Sequence, residues 1–199
     1  MASYYGLCSY LDSNISKVLL ALEQAGLRDD TLIVYTADHG ENLATRRLWG
    51  KSNMYEEAAA IPMILSGPGI PSGKVVNTPV TLADGAATIL DALGLPNISM
   101  GETRSLCKIA TAGDDLERVA FSEYHATGAD TAAFMIRKGN FKYIHYVDYE
   151  PELFDQVNDP EEEENVVNNP DFSHILTDLK KELYARVDPQ AVNEAAQKS

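Results

Sequence analysis

Asp38 and His39 sit next to each other two residues after a short apolar run, Leu32-Ile33-Val34-Tyr35, with Gly40 and Glu41 following and Lys51 a short way on. A carboxylate oxygen beside an imidazole nitrogen makes two donors for a divalent ion of hard or borderline character, such as Mn²⁺, Zn²⁺ or Ca²⁺. A lysine near such an ion adds positive charge for an anionic group. The same residues have a plainer reading, in which Asp38 caps a turn and His39 is a hydrogen-bonded surface histidine, and the dipeptide alone does not decide between the two. Position adds weight to the first. The uninterrupted apolar run reads as a strand covered on both faces, as in a parallel sheet between helices, and open α/β sheets bind ligands beyond the carboxyl ends of their strands.

The surrounding elements follow from periodicity. Ser9 to Ala25 carries Leu11, Ile15, Val18, Leu19 and Leu22 at the spacing of a helix with one buried face, and Gly26 supplies its stop. Cys8, at the start of that helix, reads as a packed residue. Asn53 to Ala60 reads as a short helix, Pro62 to Leu65 as a second buried strand, and Gly67 to Gly73 as a tight glycine-proline loop. Thr81 to Leu93 is helical, with Leu82, Ala86, Ile89, Leu90 and Leu93 inward. Met100 to Glu117 reads as a loop with a turn of helix. A strand over Val119–Tyr124 and a hairpin of Ala132–Arg137 and Phe141–Val147 follow, turning at Lys138-Gly139-Asn140. Glu152 to Asp155 adds a strand. Phe172 to Val187 is an amphipathic closing helix with Ile175, Leu176, Leu179 and Leu183 on one side. The acidic run Glu161 to Glu164 reads as solvated, and the last dozen residues as frayed. The expected fold class is α/β, with residues 1–110 forming part of a larger α/β domain and 111–199 a small α+β subdomain.

Composition limits the partners. The 199 residues are 45% hydrophobic and 23% charged, enough for a real core and unlike a disordered chain. Thirty acidic against sixteen basic residues give a formal charge of −14, which disfavours nucleic acid and anionic membranes. An anionic ligand then needs local positive charge, from a metal or a few placed cations. No apolar run approaches the ~20 residues of a membrane span, and no signal peptide opens the chain. Cys8 and Cys107 fit no zinc spacing and read as two reduced thiols, which points to the cytoplasm. The Asn14 and Asn97 N-x-S triplets carry little weight without a secretory signal. His125, after Ser122-Glu123-Tyr124, is a candidate for the substrate pocket or for a structural hydrogen bond. His145 reads as structural and His174 as solvated. For Tyr143, Tyr146 and Tyr149, packing outweighs a cation-binding role.

Longer stretches are recognisable. YTADHGENLATRRLWGKSNMYEEAAAIPMILSGPGI, and in order around it YYGLCSYLDSNISKVLLALE, MIRKGNFKYIHY and PELFDQVNDPEEEENVV, resemble the sulfatases of the alkaline phosphatase superfamily. The likeness is closest to choline-sulfatase-like members and phosphonate monoester hydrolases. It implies part of an alkaline-phosphatase-like sandwich with a small antiparallel C-terminal sheet and closing helix. It implies Asp38 and His39 as ligands of a divalent metal, Ca²⁺ or Mn²⁺, and Lys51 as the lysine that touches the sulfate or phosphate group. Arg46 falls where choline-sulfatase-like members carry arginine, and reads equally as a substrate-side cation or a solvated loop residue. The family's Asp-Asp metal pair and its Cys/Ser-x-Pro-x-Arg nucleophile motif have no counterpart here: Cys8 precedes Ser9-Tyr10-Leu11 and Cys107 precedes Lys108-Ile109-Ala110. The resemblance therefore implies the C-terminal half of a hydrolase of sulfate or phosphonate/phosphate monoesters, with little turnover alone. Such a chain is expected to pair with a complementing N-terminal half or with itself. The alternative is a non-catalytic binding or assembly module that keeps the fold.

Overall fold

The computed structural model describes residues 1–96, 101–126 and 128–198. Met100, the expected start of a loop, and the Asn97 triplet lie outside the described residues. The chain opens with α1 (Ala2–Gln24). Gly26, at φ +70°, closes it in a Schellman turn, its N–H donating to the Glu23 carbonyl (2.9 Å) while the Leu27 N–H donates to that of Leu22 (3.1 Å). No residue of α1 is buried. The stripe of Leu11, Val18 and Leu19 faces outward, which corrects the expected buried face, and Cys8 is exposed rather than packed.

After α1, β1 (Ile33–Thr36) pairs with β2 (Met63–Ser66), and the pairing is antiparallel, Ile33 opposite Ser66 and Thr36 opposite Met63. The parallel expectation is corrected, because an apolar run reports apolar neighbours and not the direction in which they run. Nor are both faces covered: Tyr35 is 37% and Ile64 58% exposed. Between the strands lies a long loop ending in α2 (Glu56–Ala59), a single turn.

α3 (Leu82–Ala92) starts on a capping box formed by Thr81 and Asp84. Its buried stripe is Asp84, Ala87 and Thr88, whereas Leu82, Ile89 and Leu93 are exposed. Polar residues go inward here because every demand they make is met. Asp84 accepts from the Thr81 and Arg104 N–H groups (2.8 and 2.9 Å) and pairs with Arg118 (2.7 Å). Thr88 Oγ1 donates to the Asp84 carbonyl (2.7 Å) and accepts from the Leu106 N–H (2.8 Å), at the head of α4 (Leu106–Thr111).

The C-terminal sheet is an antiparallel meander in the order β3 (Val119–Tyr124), β4 (Ala133–Lys138), β5 (Phe141–Tyr146), β6 (Glu152–Asp155). Lys138 faces Phe141 across the turn, where Gly139 takes φ +53°. Alternation along β4 divides the core in two. Phe134 and Ile136 pack with Tyr143 and Leu153 beneath α5 (Ser173–Arg186), which buries Leu179 and Leu183 at about 1.5–3 kcal/mol for each leucine. Ala133 and Met135 face the other way, with Ile144 and Phe154, against Met54 and Tyr55 of the long loop. That second face is what fixes the loop to the sheet.

Two further expectations are corrected. The last residues form α6 (Pro189–Gln197), capped by Asp188 accepting from the Ala191 N–H (3.1 Å), and buried Asn193 accepts from the Ala132 N–H (2.9 Å). In the acidic run, Glu162 is buried against Lys142 instead of solvated. Cys8 and Cys107 are unpaired, and among the described residues no helix is long and apolar enough to cross a membrane.

Candidate active site

Asp38 and His39 follow β1 after one residue, Ala37, on the loop that returns to α2. Asp38 Oδ1 accepts from the His39 N–H (3.0 Å), and Oδ2 lies 3.4 Å from His39 Nε2. The carboxylate is 82% and the imidazole 37% exposed, so both are open to a ligand. His39 Nδ1 lies 2.9 Å from the Gly40 carbonyl. A carbonyl can only accept, so Nδ1 carries the hydrogen and Nε2 presents its lone pair outward. Lys51 Nζ meets that lone pair at 2.5 Å.

Lys51 lies twelve positions after His39, and the loop brings them together by internal bonds. The Gly40 N–H donates to the Ala58 carbonyl (2.9 Å). A Cβ at Gly40 would stand 1.9 Å from the Glu57 carbonyl oxygen, a passage open to glycine alone. Glu41 Oε1 accepts from the N–H groups of Gly50 (2.7 Å) and Leu43 (3.3 Å), and buried Asn42 donates from its side chain to the Gly50 carbonyl (2.5 Å). Gly50 is thereby gripped from both sides and delivers Lys51 to His39.

The tip between these anchors holds Leu43, Ala44, Arg46 and Arg47 at positive φ, from +48° to +70°, a cluster of conformations that costs energy and persists only where surroundings impose it. Arg46 imposes it here. Its guanidinium donates to both carboxylate oxygens of Glu57 (2.8 and 2.7 Å) and to the carbonyls of Glu161 and Glu162, and it lies 4.3 Å over the Tyr55 ring. Arg46 is thus turned into the protein and is not a solvated loop residue. Behind it, fully buried Lys142 pairs with Glu162 (2.6 Å) and Glu56 (2.9 Å). Burial raises the Glu162 carboxyl above its ordinary value even with that ammonium beside it.

His125 follows the end of β3 and is exposed, its Nε2 3.8 Å from Glu123. Its neighbour Tyr124 comes closer to the loop, with its hydroxyl 3.0 Å from Ser52 Oγ. Among the described residues no hydrogen bond or ion pair joins His125 or Arg46 to Asp38, His39 or Lys51. Glu57, Glu162 and Lys142 escaped the sequence reading, since nothing in an acidic run marks which carboxylate is buried. His174 is exposed as expected. The three grouped tyrosines separate: Tyr143 enters the core, Tyr146 is half-buried against the second cluster and Tyr149 is exposed.

The donor set fits a divalent ion in part. Nε2, left as an acceptor by the Nδ1–Gly40 bond, stands beside an exposed carboxylate, and the Lys51 ammonium now on its lone pair would have to move aside for an ion to bind there. Among the described residues no group of three or more His, Cys, Asp or Glu side chains comes together to hold a metal, so the pair supplies two ligands and no enclosed site.

This framework and site define a chain that is sulfatase-like, within the alkaline phosphatase superfamily. Residues 1–95 match the Sulfatase family model. The chain is 35% identical over 193 residues to arylsulfatase K of Rattus norvegicus, a match covering 92% of this chain and 34% of that protein. Among solved structures it superposes on BT4656, in complex with its substrate D-glucosamine-2-N,6-O-disulfate, with a TM-score of 0.81 at 29% identity, covering 94% of this chain and 40% of that one. The phosphonate monoester hydrolase of Silicibacter pomeroyi gives 0.78 at 33% identity, with 92% and 39% covered. The chain spans little more than a third of the length of these relatives.

Proposed function

We propose that this chain is the C-terminal portion of a metal-dependent hydrolase of sulfate or phosphonate/phosphate monoesters. The reading rests on one observation above others: Asp38 Oδ2 and Lys51 Nζ converge on the outward Nε2 of His39 at the exit of β1. Asp38 and His39 would hold a divalent ion, Ca²⁺ or Mn²⁺. When bound, it supplies Lewis-acid polarisation of an ester oxygen and helps activate a nucleophile. Lys51 sets an ammonium beside that position, where negative charge gathers on the ester's non-bridging oxygens. Arg46 works at the rear of the loop, holding its strained tip against Glu57 and the Glu161–Glu162 carbonyls. His125, just past the end of β3, is assigned as a proton carrier through its neighbour Tyr124, which reaches the loop at Ser52.

Two protein ligands leave most of an ion's coordination to water, and the sequence offers no nucleophile motif, so turnover requires a complementing N-terminal half. The unburied apolar stripe of α1 and the exposed Tyr35 and Ile64 support such an association. They equally favour the second reading, a non-catalytic assembly module. The test mixes the chain with Mn²⁺ or Ca²⁺ and an aryl sulfate or aryl phosphonate ester, with and without a polypeptide carrying the Asp-Asp pair and nucleophile motif. Activity that appears only on mixing, and disappears in Asp38→Ala, is the expected result. Inertness in both, with a defined oligomer, selects the assembly module.

A further inference from the structure

A cavity of about 700 Å³ lies between the β1–β2 half of the chain and the β3–β4 part of the C-terminal sheet. Its walls are mostly apolar, with Met63 at the start of β2, Val80 and Ala83 around the head of α3, Phe121 on β3 and Met135 on β4. Asp38 and Glu56 also line it, and among the described residues Arg137 of β4 is its one basic lining side chain. Of these the chemistry above uses Asp38 alone.

Arg137 is the unsatisfied group in this wall. Its Nη1 is buried and, among the described residues, has no hydrogen-bond partner, whereas a buried N–H is ordinarily paired and costs free energy when it is not. Countercharge is not what it lacks. Burial holds the guanidinium below its ordinary value, while Glu56, Glu162 and Asp155 all pull it upward. Lys142, its cross-strand neighbour, already pairs with Glu162 and Glu56. With Asp38 on the same cavity, carboxylates outnumber cations there, so a further anion would enter against the local field. A neutral carbonyl oxygen satisfies Nη1 without adding charge.

Protein interiors are close-packed, with few voids larger than a water molecule. An apolar space of this size beside an unmade buried hydrogen bond breaks that rule and the pairing rule together, and one segment of polypeptide restores both. The chain spans little more than a third of its relatives' length, which leaves the greater part of such an enzyme to supply it. We propose that the cavity seats an uncharged apolar segment of the complementing polypeptide, whose backbone carbonyl accepts from Arg137 Nη1. The identity of the occupant rests on the reading of this chain as a C-terminal portion; the cavity's preference for a neutral carbonyl on an apolar stem does not.

The experiment is an NMR titration of the whole chain, read at the Met63 and Met135 methyls, with N-acetyl-leucine N-methylamide as a neutral peptide unit. N-acetylglycine N-methylamide removes the apolar stem and N-acetyl-leucine adds a carboxylate. Saturable shifts with the leucine amide are expected, with binding about tenfold or more weaker for the glycine amide and weaker also for the carboxylate. Arg137→Met should bind the leucine amide about three- to tenfold more weakly, the range for one hydrogen bond. Ala83→Phe, which fills the space from an exposed position on α3, should abolish binding without lowering Tm. Equal shifts with all three probes, tighter binding of N-acetyl-leucine, or none with any probe overturn the proposal. A second measurement follows association with an N-terminal polypeptide carrying the Asp-Asp pair and nucleophile motif. Ala83→Phe should weaken it by about tenfold or more. Association as tight as the parent's means the cavity is not the seat, and the C-terminal-portion reading survives. If the parent chain itself does not associate, that reading fails and the occupant named here falls with it.

Discussion

Replacing Lys142 by methionine tests how the loop is held to the sheet. The Lys142 side chain is fully buried, with Nζ 2.6 Å from Glu162 and 2.9 Å from Glu56. Methionine fills similar volume but leaves the Glu162 carboxylate buried without its ion-pair partner, supported by the Glu56 N–H (2.9 Å), Gln156 Nε2 (2.6 Å) and the more distant charge of Arg137. Removing one partner of a buried pair costs about 3–5 kcal/mol. At roughly 2–4 °C per kcal/mol for a chain of this size, Tm at neutral pH should fall by about 6–20 °C. The loss should also depend on pH. Burial already raises Glu162 above its unfolded value near 4.5, and losing the ammonium raises it further. A carboxyl raised in the folded state contributes stability that is present below the unfolded value and lost as pH rises through the folded one. The gap between wild type and Lys142→Met should therefore be narrow near the ordinary glutamate range and widen toward neutrality. Lys142→Met combined with Glu162→Gln, which removes both charges, should recover most of the loss. Thermal unfolding across pH measures all of this. A drop below about 2 °C, less than one kcal/mol at this chain length, or a gap that ignores pH, refutes the claim that this pair is an energetic anchor.

Gly40→Ala should lower the urea midpoint by the equivalent of about 1–3 kcal/mol or more, because its Cβ meets the Glu57 carbonyl at 1.9 Å, and amide exchange over residues 40–50 should accelerate. Gly85→Ala, inside α3 with open space around it, should instead be neutral or stabilising by up to about 1 kcal/mol; equal losses at both sites contradict the steric account. Burial, and secondarily Lys180, hold the His145 imidazole below its ordinary value of 6.5. Its contribution is present above that value and lost as pH falls through the depressed one, so the Tm advantage of wild type over His145→Gln should shrink on acidification below about pH 6.5. An advantage that grows on acidification reverses the sign and rejects the assignment.

The C-terminal meander was legible because period-two alternation and Gly139 are local signals, and β3 begins and ends where periodicity places it. The direction of β1 was not, since direction belongs to the partner and not to the run. Likewise α6 carries few apolar residues and is held by Asn193 bonding the Ala132 backbone 61 residues away, a polar tie that no local pattern announces. At the site, Asp38, His39 and Lys51 are close in sequence and could be grouped by eye. Arg46 could not be placed, because the carbonyls that turn it inward come from Glu161 and Glu162, more than a hundred residues on. In α3, hydrophobicity pointed to the wrong stripe because the inward face meets polar partners, Arg104, Leu106 N–H and Arg118, which satisfy Asp84 and Thr88 and leave no trace in the local pattern.

The clasp of Arg46 on the Glu161–Glu162 backbone, with Lys142 beneath it, has a consequence for recombining such chains. The loop between β1 and α2 and the segment that braces it lie about a hundred residues apart, and they meet where Arg46 and Glu56 reach Glu161, Glu162 and Lys142. A graft that exchanges the C-terminal sheet for a homologue's must carry Glu56, Glu57, Lys142 and Glu162 as one inherited set, or the hybrid will fold around a slack loop.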